Sequence, residues 1–240
     1  SVLVGRIVHL IRKQGVLPSE IVVLAFNRAV VFEIKRRVRA LFQTLGYGAH
    51  VRAVRISTFH GLATRSMADV SDADGRHASI NNLLPAFAHR LQTEARFRQQ
   101  VATGCRAILV DEFQDATDDV YEIIRQLHAG TGGKAGVMVI GDDDQDILRW
   151  NRQNKNFSEQ YFERFIREFG GDSLRRIDLA VNFRSGMQIV DESQTAIKAF
   201  FGRGGPSHRI KDFVLRAAPG AATASTTRRG RLMPAGSRPV

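Results

Sequence analysis

Four apolar residues, Ala107-Ile108-Leu109-Val110, run directly into Asp111-Glu112-Phe113-Gln114-Asp115. An apolar strand that delivers adjacent Asp and Glu at its exit suits hydrolysis of a nucleoside triphosphate. One carboxylate holds a divalent metal, usually through water, and its neighbour orients and deprotonates the attacking water. Adjacency matters because metal and water lie a few ångströms apart. A bare Asp-Glu pair is as readily a solvated turn, and the preceding strand with the following Gln114-Asp115 tips the balance. About thirty residues on, Val137-Met138-Val139-Ile140 leads through Gly141 into Asp142-Asp143-Asp144-Gln145-Asp146. Three consecutive Asp residues repel unless a cation or solvent screens them. Gln145 offers a neutral amide to a terminal phosphate without competing for the metal.

The charge pattern surrounds these acids with base. The net charge is +11, which favours a polyanionic partner. Residues 1–60 carry ten Lys/Arg and two acids, residues 101–150 carry four and ten, and residues 203–240 carry eight against Asp212 alone. Hydrophobic residues make up 43%, enough for a real core. No apolar stretch is long enough to span a membrane, and no signal peptide opens the chain. A single cysteine, Cys105, excludes a disulfide framework and a Cys-based zinc site, in keeping with a reduced, cytoplasmic setting.

The elements that must position the acids follow from periodicity. Val2, Leu3, Ile7, Leu10 and Ile11 space as a helix that stops near Gly15. Ile21–Phe26 is a continuous apolar run, the mark of a buried parallel strand. Val30, Val31, Ile34, Val38 and Leu41 form one helix face. Val51–Ser57 is β-prone, Thr58–Met67 helical, 69–79 a polar loop and Leu83–Val101 one amphipathic helical stretch. Strands are expected at Ala107–Val110, Val137–Ile140 and Ile177–Val181, with helices at Tyr121–Leu127, Phe157–Phe169 and Met187–Phe201. Strands alternating with helices give an α/β fold, a mostly parallel sheet flanked by helices, whose ligands sit at the carboxyl ends of the strands. Past Gly202 the chain turns to Gly, Ala, Pro, Ser, Thr and Arg and is expected to be disordered.

The order of segments then resembles a known motif series: Val22–Val38, Ile56-Ser57-Thr58-Phe59-His60-Gly61, Val110–Asp115, Ile140–Trp150 and Asn182-Phe183-Arg184-Ser185. It is similar to that of the UvrD/Rep family of superfamily 1 DNA helicases, from about residue 1 to about residue 200. The resemblance implies a RecA-like motor domain using ATP and Mg²⁺ to translocate on single-stranded DNA and open duplex junctions. By that resemblance Asp111, with Glu112 beside it, holds Mg²⁺, and Glu112 is the general base. Gln145 contacts the γ-phosphate and couples it to DNA. Arg184 is an arginine finger, and Phe183 stacks on adenine where the family often has Tyr. Phe26 and Asn27 fall in one DNA motif and Phe59 and His60 in the next, while Trp150 matches a base-stacking aromatic. Nonspecific single-strand binding does combine cations with aromatic faces. Core packing is the competing reading for Phe26, Phe59 and Trp150, and a structural hydrogen bond for His60.

Departures from the family are equally plain. No Gly-x-x-x-x-Gly-Lys-Ser/Thr occurs in the 240 residues. Ala129–Ala135 contains Gly-Gly-Lys but lacks the hydroxyl and is expected to lead into a strand, whereas a phosphate cradle leads into a helix N-terminus. Ser1–Val4 resembles the helix that follows the family's phosphate loop, so the expectation is a motor domain lacking that loop. The final motifs are absent as well. Leu148 and Asn151 replace residues that are commonly Tyr and Arg. The expected organisation is a motor domain over 1–202, with a reduced helical insertion at 68–105 and the start of the second motor domain at 182–202. A basic tail follows over 203–240. The alternatives are a noncatalytic single-stranded DNA-binding module and part of a helicase–nuclease.

Overall fold

In the computed structural model, which describes residues 2–46, 52–67, 80–146, 158–171, 174–202 and 215–218, four short strands pair in parallel. They are β1 (Ile21–Ala25), β2 (Arg55–Thr58), β3 (Ala107–Val110) and β4 (Gly136–Val139), in the order β2-β1-β3-β4. Every residue of β1 and β3 is buried, as their uninterrupted apolar sequences require of central strands. The edge strand β4 is half-exposed. Register fixes which ends align: Leu24 stands opposite both Ser57 and Val110, and Val110 opposite Val139. The residues after Ala25, Thr58, Val110 and Val139 therefore emerge along one edge of the sheet.

Alternate side chains serve the two faces. Ile21, Val23, Ala25, Ala107 and Leu109 pack with Leu3, Ile7 and Leu10 of α1 (Val2–Gln14) and Ile34, Val38 and Phe42 of α2 (Arg28–Thr44). Each Val, Leu, Ile or Phe among them contributes roughly 1.5–3 kcal/mol when fully buried, the alanines less. Helix α1 ends where Gly15 takes a φ of +62°, as its sequence predicts. The opposite face carries α3 (Phe59–Ser66), α4 (Ile80–Thr93), α5 (Ala95–Ala102) and α6 (Asp118–Gly130), with α6 packed on α4 and α5. Helix α7 (Ser158–Phe169) sets Phe162 and Phe165 edge-on against Phe113.

The stretch Leu83–Val101, expected as one helix, is two. The break falls at Glu94, which is non-helical at φ −105°, ψ 96°, and not at Pro85 inside α4. Arg98 explains the break: its Nη1 donates to the carbonyls of Leu91 and Gln92, satisfying the end of α4, and to Gln126 Oε1 on α6. Ala129–Ala135 behaves as its sequence predicts. Gly132 and Gly133 adopt φ of +69° and +74°, ending α6, and the chain enters β4.

The chain divides into two compact units, Ser1–Gly170 and Gly171–Val240. In the second, the strand expected over Ile177–Val181 is reduced to β5 (Val181–Asn182), paired in parallel with β6 (Arg216–Ala217) and followed by α8 (Met187–Gly202). Ile177 and Leu179 are exposed; apolar residues become a strand only beside a partner backbone, and Arg216–Ala217 supplies just two residues of one. That partner lies inside the stretch expected to lack structure. The loop reading of 69–79, Leu148, Trp150, Asn151 and residues 219–240 lie outside the described residues.

Candidate nucleotide and DNA site

The sheet has a switch point between β1 and β3. From β1 the chain crosses through α2 to β2 on one side, and from β3 through α6 to β4 on the other. The loops after β1 and β3 diverge there, and such a divergence opens a crevice beyond the carboxyl ends. Phe26 and Asn27 follow β1, and Asp111 and Glu112 follow β3.

The acidic half is tied together by hydrogen bonds. Asp111 keeps its backbone in the sheet, its N–H donating to Leu24 O at 3.0 Å, while its Oδ1 accepts from Glu112 N. Burial, and then the charge of Glu112, push the Asp111 carboxyl above the usual aspartate range. Glu112 adopts a left-handed conformation, φ 54° and ψ 44°, the one non-glycine residue with positive φ among those described. A non-glycine residue in that region typically costs about 1–3 kcal/mol and needs support from its surroundings. Gln114 provides it. Its side chain is buried, its Nε2 donates to Glu112 Oε2 at 2.7 Å, and its Oε1 accepts from Asp142 N at 3.1 Å. Phe113 N donates to Ile140 O, so backbone and side chain both join the β3 loop to the β4 loop.

In the β4 loop, Asp142 Oδ1 accepts from Asp144 N and Oδ2 accepts from Gln145 Nε2 at 2.8 Å. Asp143 is buried and Gln145 is exposed. Gly141 is required for the approach of the two loops: a Cβ there would stand 2.8 Å from Gln114 Oε1 and from Phe162 Cζ. Neither Gln114 nor Gly141 acquires a role from the sequence alone. The signals that could have found them are an amide two residues after the Glu and a glycine at the strand exit.

The aromatic half is organised by helix caps. Asn27 is exposed and caps α2, its Oδ1 accepting from Val30 N at 2.8 Å. Thr58 caps α3 by accepting from Gly61 N, and His60 is exposed in the first turn. Phe59 is 1% exposed and is a core side chain, so stacking on a base is closed to it in this conformation. It supports Phe26, whose ring lies 5.2 Å away and is only half-buried.

In the second unit, Asn182 Oδ1 accepts from the N–H groups of Arg184 and Ser185, a turn that leaves Phe183 82% exposed and Arg184 exposed. No group of three metal-ligating side chains occurs among the described residues. That excludes a closed protein cage among them, and the oxygen donors Asp111 and Glu112 fit a hard cation held by one or two carboxylates with substrate phosphates.

Comparison with known proteins agrees with this architecture. The family model for the UvrD/REP helicase N-terminal domain matches residues 1–77 and 71–165. The chain is 39% identical over 96 residues to DNA helicase II of Escherichia coli, covering 40% of this chain and 12% of that protein. It is 29% identical over 175 residues to ATP-dependent DNA helicase Rep of E. coli, covering 71% and 21%. It is 34% identical over 90 residues to DNA helicase II of Haemophilus influenzae, covering 38% and 11%. These matches span at most about a fifth of each relative's length. With a parallel RecA-like sheet presenting its acidic loops at the carboxyl edge, the chain belongs to the UvrD/REP helicase family.

Proposed function

We propose that this chain is the nucleotide-hydrolysing and DNA-tracking part of an ATP-dependent superfamily 1 helicase, acting in the cytoplasm on single-stranded DNA and duplex junctions. The supporting observation is the exit of β3, where a half-buried Asp111 adjoins a Glu112 fixed by Gln114. Glu112 accepts the proton of the water that attacks the γ-phosphate, and Gln114 holds the Glu112 carboxylate in place through Oε2. Mg²⁺, when bound, is held by Asp111 with Glu112 beside it and supplies charge to the phosphate oxygens. Gln145, exposed on the neighbouring loop, reports the state of the γ-phosphate. Arg184 and Phe183, displayed on the Asn182 turn, supply the arginine finger and the adenine stack.

On the other half of the edge, Phe26 offers a face to a base, and Asn27 and His60 offer polar contacts. Phe59 acts from beneath as the support of Phe26. Trp150 adds a second stacking ring, and the basic residues of 203–240 add salt-sensitive attraction for phosphates. Residues 1–202 form the motor domain in this reading, with the reduced insertion at 68–105 and the second motor domain opening at 182. No phosphate-loop motif occurs in the 240 residues, so the chain alone turns over ATP far below a helicase rate.

The test is DNA-stimulated ATP hydrolysis by a form that also carries a phosphate-binding loop and a second motor domain. Glu112→Gln lowers turnover by about 10²–10⁴ while nucleotide binding survives, because an amide keeps the shape and takes no proton. Arg184→Ala lowers it by about 10³ or more. Near-parental turnover in either variant removes that residue from the mechanism.

A further inference from the structure

Beside the edge strand β2 the first unit holds a cavity of about 490 Å³. Five cations surround it: Lys35 and Arg39 of α2, Arg52 and Arg55 at and before the start of β2, and Arg65 of α3. Its floor is aliphatic, with Val22, Leu24 and Ile108 from the sheet and Leu127 from α6. Among the described lining residues there is no carboxylate and no aromatic ring.

Arg55 is the informative residue. Its Nε and Nη2 are buried and have no hydrogen-bond partner. Buried polar groups are nearly always paired, and a guanidinium stays charged, so two unanswered N–H donors leave the Arg55 guanidinium short of an acceptor. The charge is felt inside the cavity: burial raises the pKa of the Cys105 thiol on its wall, and Arg55 acts against that rise. Turned toward the cavity, the donor fork matches a carboxylate, which it can then bind through two parallel hydrogen bonds. The floor matches an aliphatic side chain. Single-stranded nucleic acid is a poorer fit, because its bases are held by aromatic faces and none lines this cavity. The chain's own 203–240 segment is basic and is excluded by charge.

We propose that this cavity is the docking site for an acidic, aliphatic-containing peptide segment of a partner protein. One carboxylate of the segment pairs with the Arg55 guanidinium, a neighbouring aliphatic side chain rests on Val22, Leu24 and Ile108, and the other cations gather the remaining acids. This assignment stands whether or not the hydrolytic reading of Asp111 and Glu112 holds.

The experiment is fluorescence anisotropy at physiological salt with this chain and a labelled Asp-Asp-Glu-Leu-Leu peptide. Saturable binding is expected, weakened by about fivefold or more when both leucines become serine, since the floor then goes unfilled. Arg55→Met removes the donors and keeps the aliphatic stem. It weakens the peptide by about tenfold or more, while the thermal midpoint holds or rises because no buried donor remains. Should that variant not fold, Lys35→Gln with Arg39→Gln alters exposed positions only and is expected to weaken binding several-fold and flatten its salt dependence. Equal affinity for the two peptides, or affinity indifferent to Arg55 and to the Lys35/Arg39 pair, overturns the proposal. Displacement of the peptide by a thymidine oligonucleotide in an Arg55-dependent manner overturns it in favour of nucleic acid.

Discussion

The two halves of the sheet's carboxyl edge are built by different means. Beyond β3 and β4 the loops are cross-linked: Gln114 spans Glu112 and Asp142, Phe113 N reaches Ile140 O, and Gly141 leaves room for both. Beyond β1 and β2 the chain turns at once into helices, each fixed by one capping side chain, Asn27 or Thr58, with Asn27 and His60 left exposed. Under the proposed function, proton abstraction depends on placing a carboxylate oxygen within a fraction of an ångström, which a positive-φ glutamate held by a buried amide would provide. Tracking along a polymer of varied bases asks only for exposed rings and polar groups of tolerant geometry.

The contrast sharpens first at the Phe26–Phe59 pair, where one ring is core and the other is half-buried. Phe59→Ala is expected to cost about 3–5 kcal/mol of stability in urea unfolding, and Phe26→Ala much less. Phe26→Ala weakens binding of normal single strands and leaves binding of an abasic strand unchanged. Similar unfolding costs for the two variants would erase the distinction between supporting and contacting rings.

In the acidic half, Gly141→Ala places a methyl group against Gln114 and Phe162. It is expected to destabilise by about 1–3 kcal/mol and, in a hydrolysing form of the protein, to reduce turnover by releasing Glu112 from Gln114. Unchanged stability and turnover would mean that the two loops do not need their close approach.

The smallest effect is electrostatic. The folded-state pKa of Asp111 is raised by burial and by Glu112. Its contribution to stability is therefore fully present below the ordinary aspartate pKa and is lost as pH rises through the raised value. Asp111→Asn should match the parent at about pH 3 and exceed it at about pH 7. Urea midpoints across that range check the sign, and a variant less stable at neutral pH contradicts it.

Much of this was legible in the sequence. The strands β1 and β3 announced themselves as unbroken apolar runs, α1 and α2 by their spacing, and the Gly-Gly-Lys segment by lacking what a phosphate cradle needs. What escaped were facts of partnership. A phenylalanine is the same residue in a core and on a stacking platform, so only the neighbours of Phe59 decide its role. Arg98 determines the helix break at Glu94 from seven residues away from its acceptor Leu91 and across to α6. The left-handed turn at Glu112 follows from contacts made by Gln114 with another loop. The short β5 follows from a partner that periodicity in Ile177–Val181 cannot reveal.

The central claim is that the two halves do separable work, and steady-state ATP hydrolysis against single-stranded DNA concentration tests it most directly. In a form supplied with a phosphate-binding loop and a second motor domain, Glu112→Gln should lower turnover by about 10²–10⁴ while DNA affinity, read by anisotropy, stays at the parental value. Phe26→Ala should raise the DNA concentration for half-maximal stimulation and leave the plateau rate near that of the parent. A Glu112→Gln protein that lost DNA binding, or a Phe26→Ala protein that lost the plateau with unchanged DNA affinity, would contradict the account.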